Sequence, residues 1–135
     1  MTQADILIKN GIILTIDGSL DIIPCGYVAI AGDRIAAIGE GEPDIHAARV
    51  IDAEQCVIMP GLVNTHTHMT MMRGVCEDKL LMDWLEQICF PIDASLTAED
   101  IRAGALMCQA EMLLGGTTTF IDIYRYPGAV AEVAE

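Results

Sequence analysis

His66 and His68 stand two residues apart at the end of the apolar run Leu62-Val63, and they are the side chains here best suited to hold a metal ion. On a β-strand, residues i and i+2 face the same side. Both imidazoles therefore approach one ion from one direction, at the distance of about 2.0–2.1 Å that zinc takes from a histidine nitrogen. A bare His-x-His is also common on ordinary surfaces. Its position sharpens the reading, because it follows Pro60-Gly61-Leu62-Val63-Asn64 where an apolar strand ends. The third histidine, His46, lies in a turn near Asp44 and Arg49 and reads as a solvated surface group.

The elements that must position this pair fall into two patterns. Residues 1 to about 56 read as short β-strands broken by Gly and Asp turns. Asp5 to Lys9 is a strand closed by an Asn10-Gly11 hairpin signal, and Ile12 to Ile16 is a second. Tyr27 to Ile30 turns through Gly32-Asp33 into Arg34 to Ile38, and Val50 to Asp52 and Cys56 to Ile58 continue the series. Strands this short predict a small antiparallel sheet or half of a sandwich. From about residue 58 the pattern becomes strand, helices, strand, helix. Leu62-Val63 leads to the histidines, a Met-rich loop follows, and Leu80 to Ile88 reads as a short helix. Thr97, with Asp100 three residues on, is a carboxylate version of a capping box. Ile101, Ala105, Cys108 and Met112 mark a buried helical face, and Gly115-Gly116 ends it. Thr117 to Tyr124 is β-branched and aromatic, hence a strand, and Pro127 opens a last helix. The order βαβα implies a parallel sheet with right-handed crossovers.

Composition narrows the function. Of 135 residues, 53% are hydrophobic and 4% aromatic, and the mean hydropathy is +0.43, which suits an aliphatic core with strands buried on both faces. The net charge of −13, from 20 acidic and 7 scattered basic residues, excludes nucleic acid and disfavours an anionic membrane surface. No apolar run reaches the roughly 18 residues of a membrane helix, and the start lacks the pattern of a secretory signal. Five widely spaced cysteines, Cys25, Cys56, Cys76, Cys89 and Cys108, form no C-x-x-C pair and read as reduced, buried small hydrophobes of a cytoplasmic protein.

Met59 to His68 resembles the first barrel strand of the amidohydrolase superfamily. Arg73-Gly74, Leu81-Met82-Asp83-Trp84-Leu85, Leu96 to Asp100, Glu111-Met112 and Gly116 to Asp122 are similar to the 5-methylthioadenosine/S-adenosylhomocysteine deaminases, in the chlorohydrolase-like group. The likeness implies an α/β fold in two parts. Residues 1–57 would be strands of a small β-sandwich, and 58–135 the first units of a metal-dependent (β/α)8 TIM barrel. It also implies a hydrolase of C–N bonds other than peptide bonds, in which a metal-activated water attacks the amidine carbon of an adenosine-type purine and ammonia leaves. The metal implied is Zn2+, with Fe2+ or Mn2+ as alternatives, and His66 and His68 match its first two ligands. Trp84 matches a tryptophan lining the substrate pocket, although a core tryptophan reads equally well. Asp93 falls where the family often has a glutamate contacting ribose hydroxyls; it is one methylene shorter. Asp122 matches no catalytic role and reads as structural. The loop from His68 to Arg73 is shorter than this subfamily's and lacks its Ala-Pro or Ala-Ala step.

No catalytic residue is assigned. A third histidine ligand, a proton-transferring glutamate and a metal-binding aspartate would lie beyond Glu135. A barrel takes about 250 residues, so the chain is expected to be truncated and inactive alone. Its partners would be a small purine nucleoside and either the missing C-terminal barrel part or a second copy. The competing readings are a guanine or s-triazine deaminase or chlorohydrolase, and a non-catalytic partial protein or split-enzyme subunit.

Overall fold

A computed structural model describes residues 2–69, 74–75 and 78–135; the Met-rich stretch after Met69, with Arg73, and also Cys76, lie outside them. The chain forms two compact units, Met1–Pro60 and Gly61–Glu135.

The first unit is a sheet of β1 (Thr2–Leu14), β2 (Ile22–Ala31), β3 (Arg34–Glu40), β4 (Ile45–Asp52) and β5 (Val57–Ile58). Their order is β3-β2-β1-β4, with β5 also on β1. Alternation sorts the side chains between faces. Leu7 pairs with Ala29 on one side and Ile8 with Val28 on the other, and Leu7, Ala29 and Val28 are buried.

Two expectations are corrected here. The sheet is mixed, because β4 and β5 run parallel to β1 while β2 is antiparallel to both β1 and β3. Residues 41–44 carry the chain from β3 to the far edge of β1, where an antiparallel series would have laid β4 beside β3. Asn10-Gly11, moreover, is no hairpin: β1 runs through it for 13 residues. Asn10 adopts φ +60°, a left-handed conformation asparagine tolerates. The register against β2 shifts on either side of Gly11, as at a β-bulge. The bulge lies where β1 changes neighbours. Asn10 Nδ2 donates to Asp52 Oδ2 at 2.9 Å, at the end of β4, and Ile12 N donates to Cys56 O at 3.0 Å, just before β5.

The second unit begins with β6 (Leu62–Thr67), parallel to β7 (Thr117–Asp122). Between them lie α1 (Leu81–Trp84), a π-helical turn (Leu85–Cys89), α2 (Phe90–Ser95) and α3 (Ala98–Leu114); α4 (Pro127–Ala134) follows β7. The first helical stretch is longer than its sequence pattern predicts. Pro91 offers no N–H, and its ring crowds the preceding turn; the wider π turn just before it lets the helix continue. At α3 the Thr97 hydroxyl accepts from Asp100 N at 3.3 Å and Asp100 Oδ2 accepts from Thr97 N at 2.8 Å, a reciprocal cap. Gly116, at φ +82°, turns the chain out of α3 into β7.

Ile101, Ala105, Met69, Ala129 and Val130 form the buried core of this unit, with Leu96, Phe120 and Tyr124 packed against it. A fully buried side chain such as Ile101 contributes about 1.5–3 kcal/mol relative to exposure. Buried Gln109 donates to Val130 O at 3.0 Å, which satisfies its amide and ties α3 to α4. The cysteines divide: Cys89 is buried and Cys108 partly so, whereas Cys25 and Cys56 are exposed, against the expectation for buried hydrophobes. Both exposed thiols belong to the sheet unit, Cys25 within β2 and Cys56 just before β5. Among the described residues no helix is long and apolar enough to cross a membrane.

Candidate metal centre

β6 reaches its end at Thr67, and His68 is the first residue past it. Asn64 begins the local order, its Oδ1 accepting from His66 N at 3.2 Å. Both histidines are exposed, and their rings converge. The two Nε2 atoms lie 3.2 Å apart, with ring centroids at 4.9 Å and planes crossing at 82°.

His68 Nδ1 lies 3.1 Å from the Ile123 carbonyl oxygen. A carbonyl only accepts, so Nδ1 carries the proton, and the neutral ring presents a lone pair at Nε2. A backbone acceptor behind a ligating imidazole fixes tautomer and ring orientation in this way at metal sites generally. The Tyr124 ring packs against His68 with centroids 5.5 Å apart. Asp122, at the end of β7, accepts from Met69 N at 2.9 Å through Oδ1. Its structural reading in the sequence thus has a concrete partner.

The arrangement fits a tetrahedral cation. Two ligand atoms, each about 2.0–2.1 Å from such an ion, stand about 3.3 Å apart, and the observed nitrogen separation is 3.2 Å. Among the described residues no group of three or more His, Cys, Asp and Glu side chains gathers to complete a cage.

The other two site candidates bond elsewhere. Trp84, half-buried in α1, donates its indole N–H to Val75 O at 2.6 Å. Asp93 in α2 pairs with Arg125, Oδ2 to Nε at 2.5 Å, and its buried Oδ1 has no partner among the described residues. One turn before it, burial pushes the Cys89 thiol up, and the Asp93 charge adds to that, which keeps the thiol protonated and unreactive. The histidines and Asp93 share one scaffold, the connection after β7. Ile123 and Tyr124 meet His68, Arg125 meets Asp93, and the Tyr126 hydroxyl donates to Leu96 O at 3.4 Å. Ile123 and Arg125 escape sequence reasoning. A backbone carbonyl leaves no mark in residue type, and an isolated arginine in a connection announces no partner.

Residues 57–135 match the amidohydrolase family over more than half of the chain. The chain belongs to the amidohydrolase family. Curated relatives extend the similarity over nearly all of this amidohydrolase chain. It is 44% identical over 138 residues to a 5-methylthioadenosine/S-adenosylhomocysteine deaminase of Syntrophobacter fumaroxidans, covering 98% of this chain and 32% of the relative. It is 45% identical over 135 residues to a 5'-deoxyadenosine deaminase of Methanosarcina barkeri, covering 98% and 31%. Among solved structures it is similar to an adenosine deaminase from Xanthomonas campestris with bound zinc, at TM-score 0.88 and 33% identity, over 98% of this chain and 31% of that one. The chain therefore spans about a third of the length of the relatives it matches.

Proposed function

We propose that this chain forms part of a zinc-dependent aminohydrolase that removes the amino group of an adenosine-type purine, such as 5-methylthioadenosine or S-adenosylhomocysteine. The observation that carries the reading is the convergence of His66 and His68 to an Nε2 separation of 3.2 Å, with the Ile123 carbonyl fixing the tautomer of His68. The names of the three similar proteins given above, each a deaminase of an adenosine compound, support the substrate class.

In this reading residues 1–57 belong to a small β-sandwich and 58–135 supply the first units of a (β/α)8 barrel. The remaining ligands and proton carriers come from the part of the relatives' length that this chain does not span. His66 and His68 hold the ion from the end of β6. When bound, zinc supplies Lewis acidity and makes water a nucleophile near neutral pH. Trp84 offers a ring face, since its N–H is already engaged by Val75. Asp93, steadied by Arg125 through Oδ2, keeps Oδ1 to accept from a sugar hydroxyl. The wide spacing of the cysteines, with no C-x-x-C pair, agrees with a cytoplasmic setting.

The test is ammonia release by the zinc-loaded intact protein from a panel of purine nucleosides, with guanine and an s-triazine alongside. Release from 5-methylthioadenosine or S-adenosylhomocysteine, lost on chelation, is expected. Activity confined to guanine or the triazine would replace the substrate class, and metal-independent activity would remove the metal from the reading.

A further inference from the structure

We infer that Asp122 is a positioning residue for the His66–His68 pair and sets how tightly that pair holds a divalent cation. The inference rests on the metal reading above.

His68 lies just past the regular strand, and the β6–β7 pairing register is irregular between Asn64 and Thr67. Ladder bonds alone hold this end loosely. Three bonds from two consecutive residues secure it. Ile123 N donates to Thr67 O at 3.2 Å, His68 Nδ1 donates to Ile123 O at 3.1 Å, and Asp122 Oδ1 accepts from Met69 N at 2.9 Å. His68 is thereby clasped from the residue before it, from its own ring and from the residue after it.

On the β7 side Ile123 contributes only its backbone N–H and carbonyl, whereas Asp122 contributes its side chain, so the Asp122 bond is the one that a change of residue behind His68 can tune. Met69 is fully buried, so its amide cannot turn to water if the carboxylate is removed. An orphaned buried N–H is costly, and the backbone would move to satisfy it. That motion starts one residue from the imidazole whose Nδ1 must stay on Ile123. Asp122 Oδ2 is buried with no partner among the described residues, so the carboxylate's tie in this region is the one to Met69. Groups standing behind metal ligands typically change affinity by about 10–100-fold when removed.

The experiment compares the intact wild-type protein with Asp122→Ala, Asp122→Asn and Asp122→Glu. Cobalt(II) is titrated by visible absorption, and the tautomer of His68 is read by nitrogen-15 NMR of the metal-free protein at about pH 8, where a neutral imidazole is favoured. Asp122→Ala is expected to weaken cobalt binding about 10–100-fold and to mix the two His68 tautomers. Asparagine retains an acceptor for Met69 and is expected to restore affinity to within about threefold, with Nδ1 protonated as in the wild type. If the alanine protein does not fold, Asp122→Glu, which keeps the charge and displaces the carboxylate by a methylene, is expected to show the same two effects more weakly. Wild-type affinity in a folded Asp122→Ala or Asp122→Glu protein would overturn the assignment and leave the metal reading standing. So would a loss in Asp122→Asn as large as that in Asp122→Ala, because charge and not the bond would then be at work. Failure of the wild type to take up cobalt would overturn both.

Discussion

Thr118 presses its side chain against the backbone of Gly61: a β-carbon built at Gly61 would stand 2.1 Å from Thr118 Oγ1 and 2.8 Å from Thr118 Cβ. Gly61 directly precedes β6, and Thr118 lies within β7, so this approach sets how closely the two parallel strands come together. The glycine is needed for space, not for an unusual φ.

Gly61→Ala is therefore expected to destabilise the second unit by about 1–3 kcal/mol, the usual range for forcing atoms into a filled space. Since even Cβ of Thr118 is too close, Thr118→Ala should not rescue it, whereas Thr118→Gly should recover part of the loss. Urea unfolding of the two single variants and the double variants gives the coupling directly. Additive losses in the glycine pair would show that the contact is not what selects Gly61.

Removal of either imidazole should cost more metal affinity than loss of a group behind it, hence more than about a hundredfold for His66→Ala or His68→Ala. Competition with a chromophoric chelator measures this. His46→Ala, in β4 of the other unit, should leave zinc affinity unchanged.

Acid should weaken the sheet unit in a defined window. Hydrogen bonds from the Ser19 and Thr15 hydroxyls and from Ser19 N lower the Asp17 carboxyl from 3.8 to about 2. A carboxylate depressed in the folded state contributes stability that is complete above its unfolded value and is lost as pH falls through the folded one. The thermal midpoint is therefore expected to drop between about pH 4 and about pH 2, and Asp17→Asn should flatten part of that slope. Asp52, lowered first by the Glu54 amide and then by Asn10, adds in the same direction. Asp100 does likewise in α3, where the Thr97 hydroxyl is the main cause.

Arg125→Met would strip Asp93 of its ion-pair partner, with Oδ1 already lacking a partner among the described residues. A loss of about 1–2 kcal/mol is expected, moderated because the arginine is half exposed and screened. Adding Asp93→Asn should return part of it, since the orphaned charge is then gone. Chemical unfolding of the three proteins checks the order; an equally unstable double variant would contradict it.

What could be read from residue types was read where a local rule decides. The same-side approach of His66 and His68 follows from strand periodicity, and α3 follows from Thr97, Asp100 and Gly115-Gly116. Asn10-Gly11 misleads because the chemistry that favours a tight turn also favours a bulge. The choice is made by Asp52 and Cys56, far along the chain. The mixed sheet is hidden for a related reason, since alternation fixes faces but not the direction of a neighbour. The Ile123 carbonyl and the Arg125–Asp93 pair are invisible in sequence because they depend on where β7 ends relative to α2 and β6.

The place of β1 in its sheet bears on how the first unit assembles. β2 and β3 meet across the short Gly32-Asp33 turn and can zip early. β1 pairs with β2, β4 and β5, and its parallel partners emerge only after the hairpin is made. Pairing across long separations must first meet the entropy of closing the loop, which slows folding. During synthesis one edge of β1 therefore waits open, from Thr2 to Lys9 until β4 leaves the ribosome and at Ile12 and Ile13 until Val57 and Ile58 do, and that interval is when this unit is most exposed to pairing with another chain.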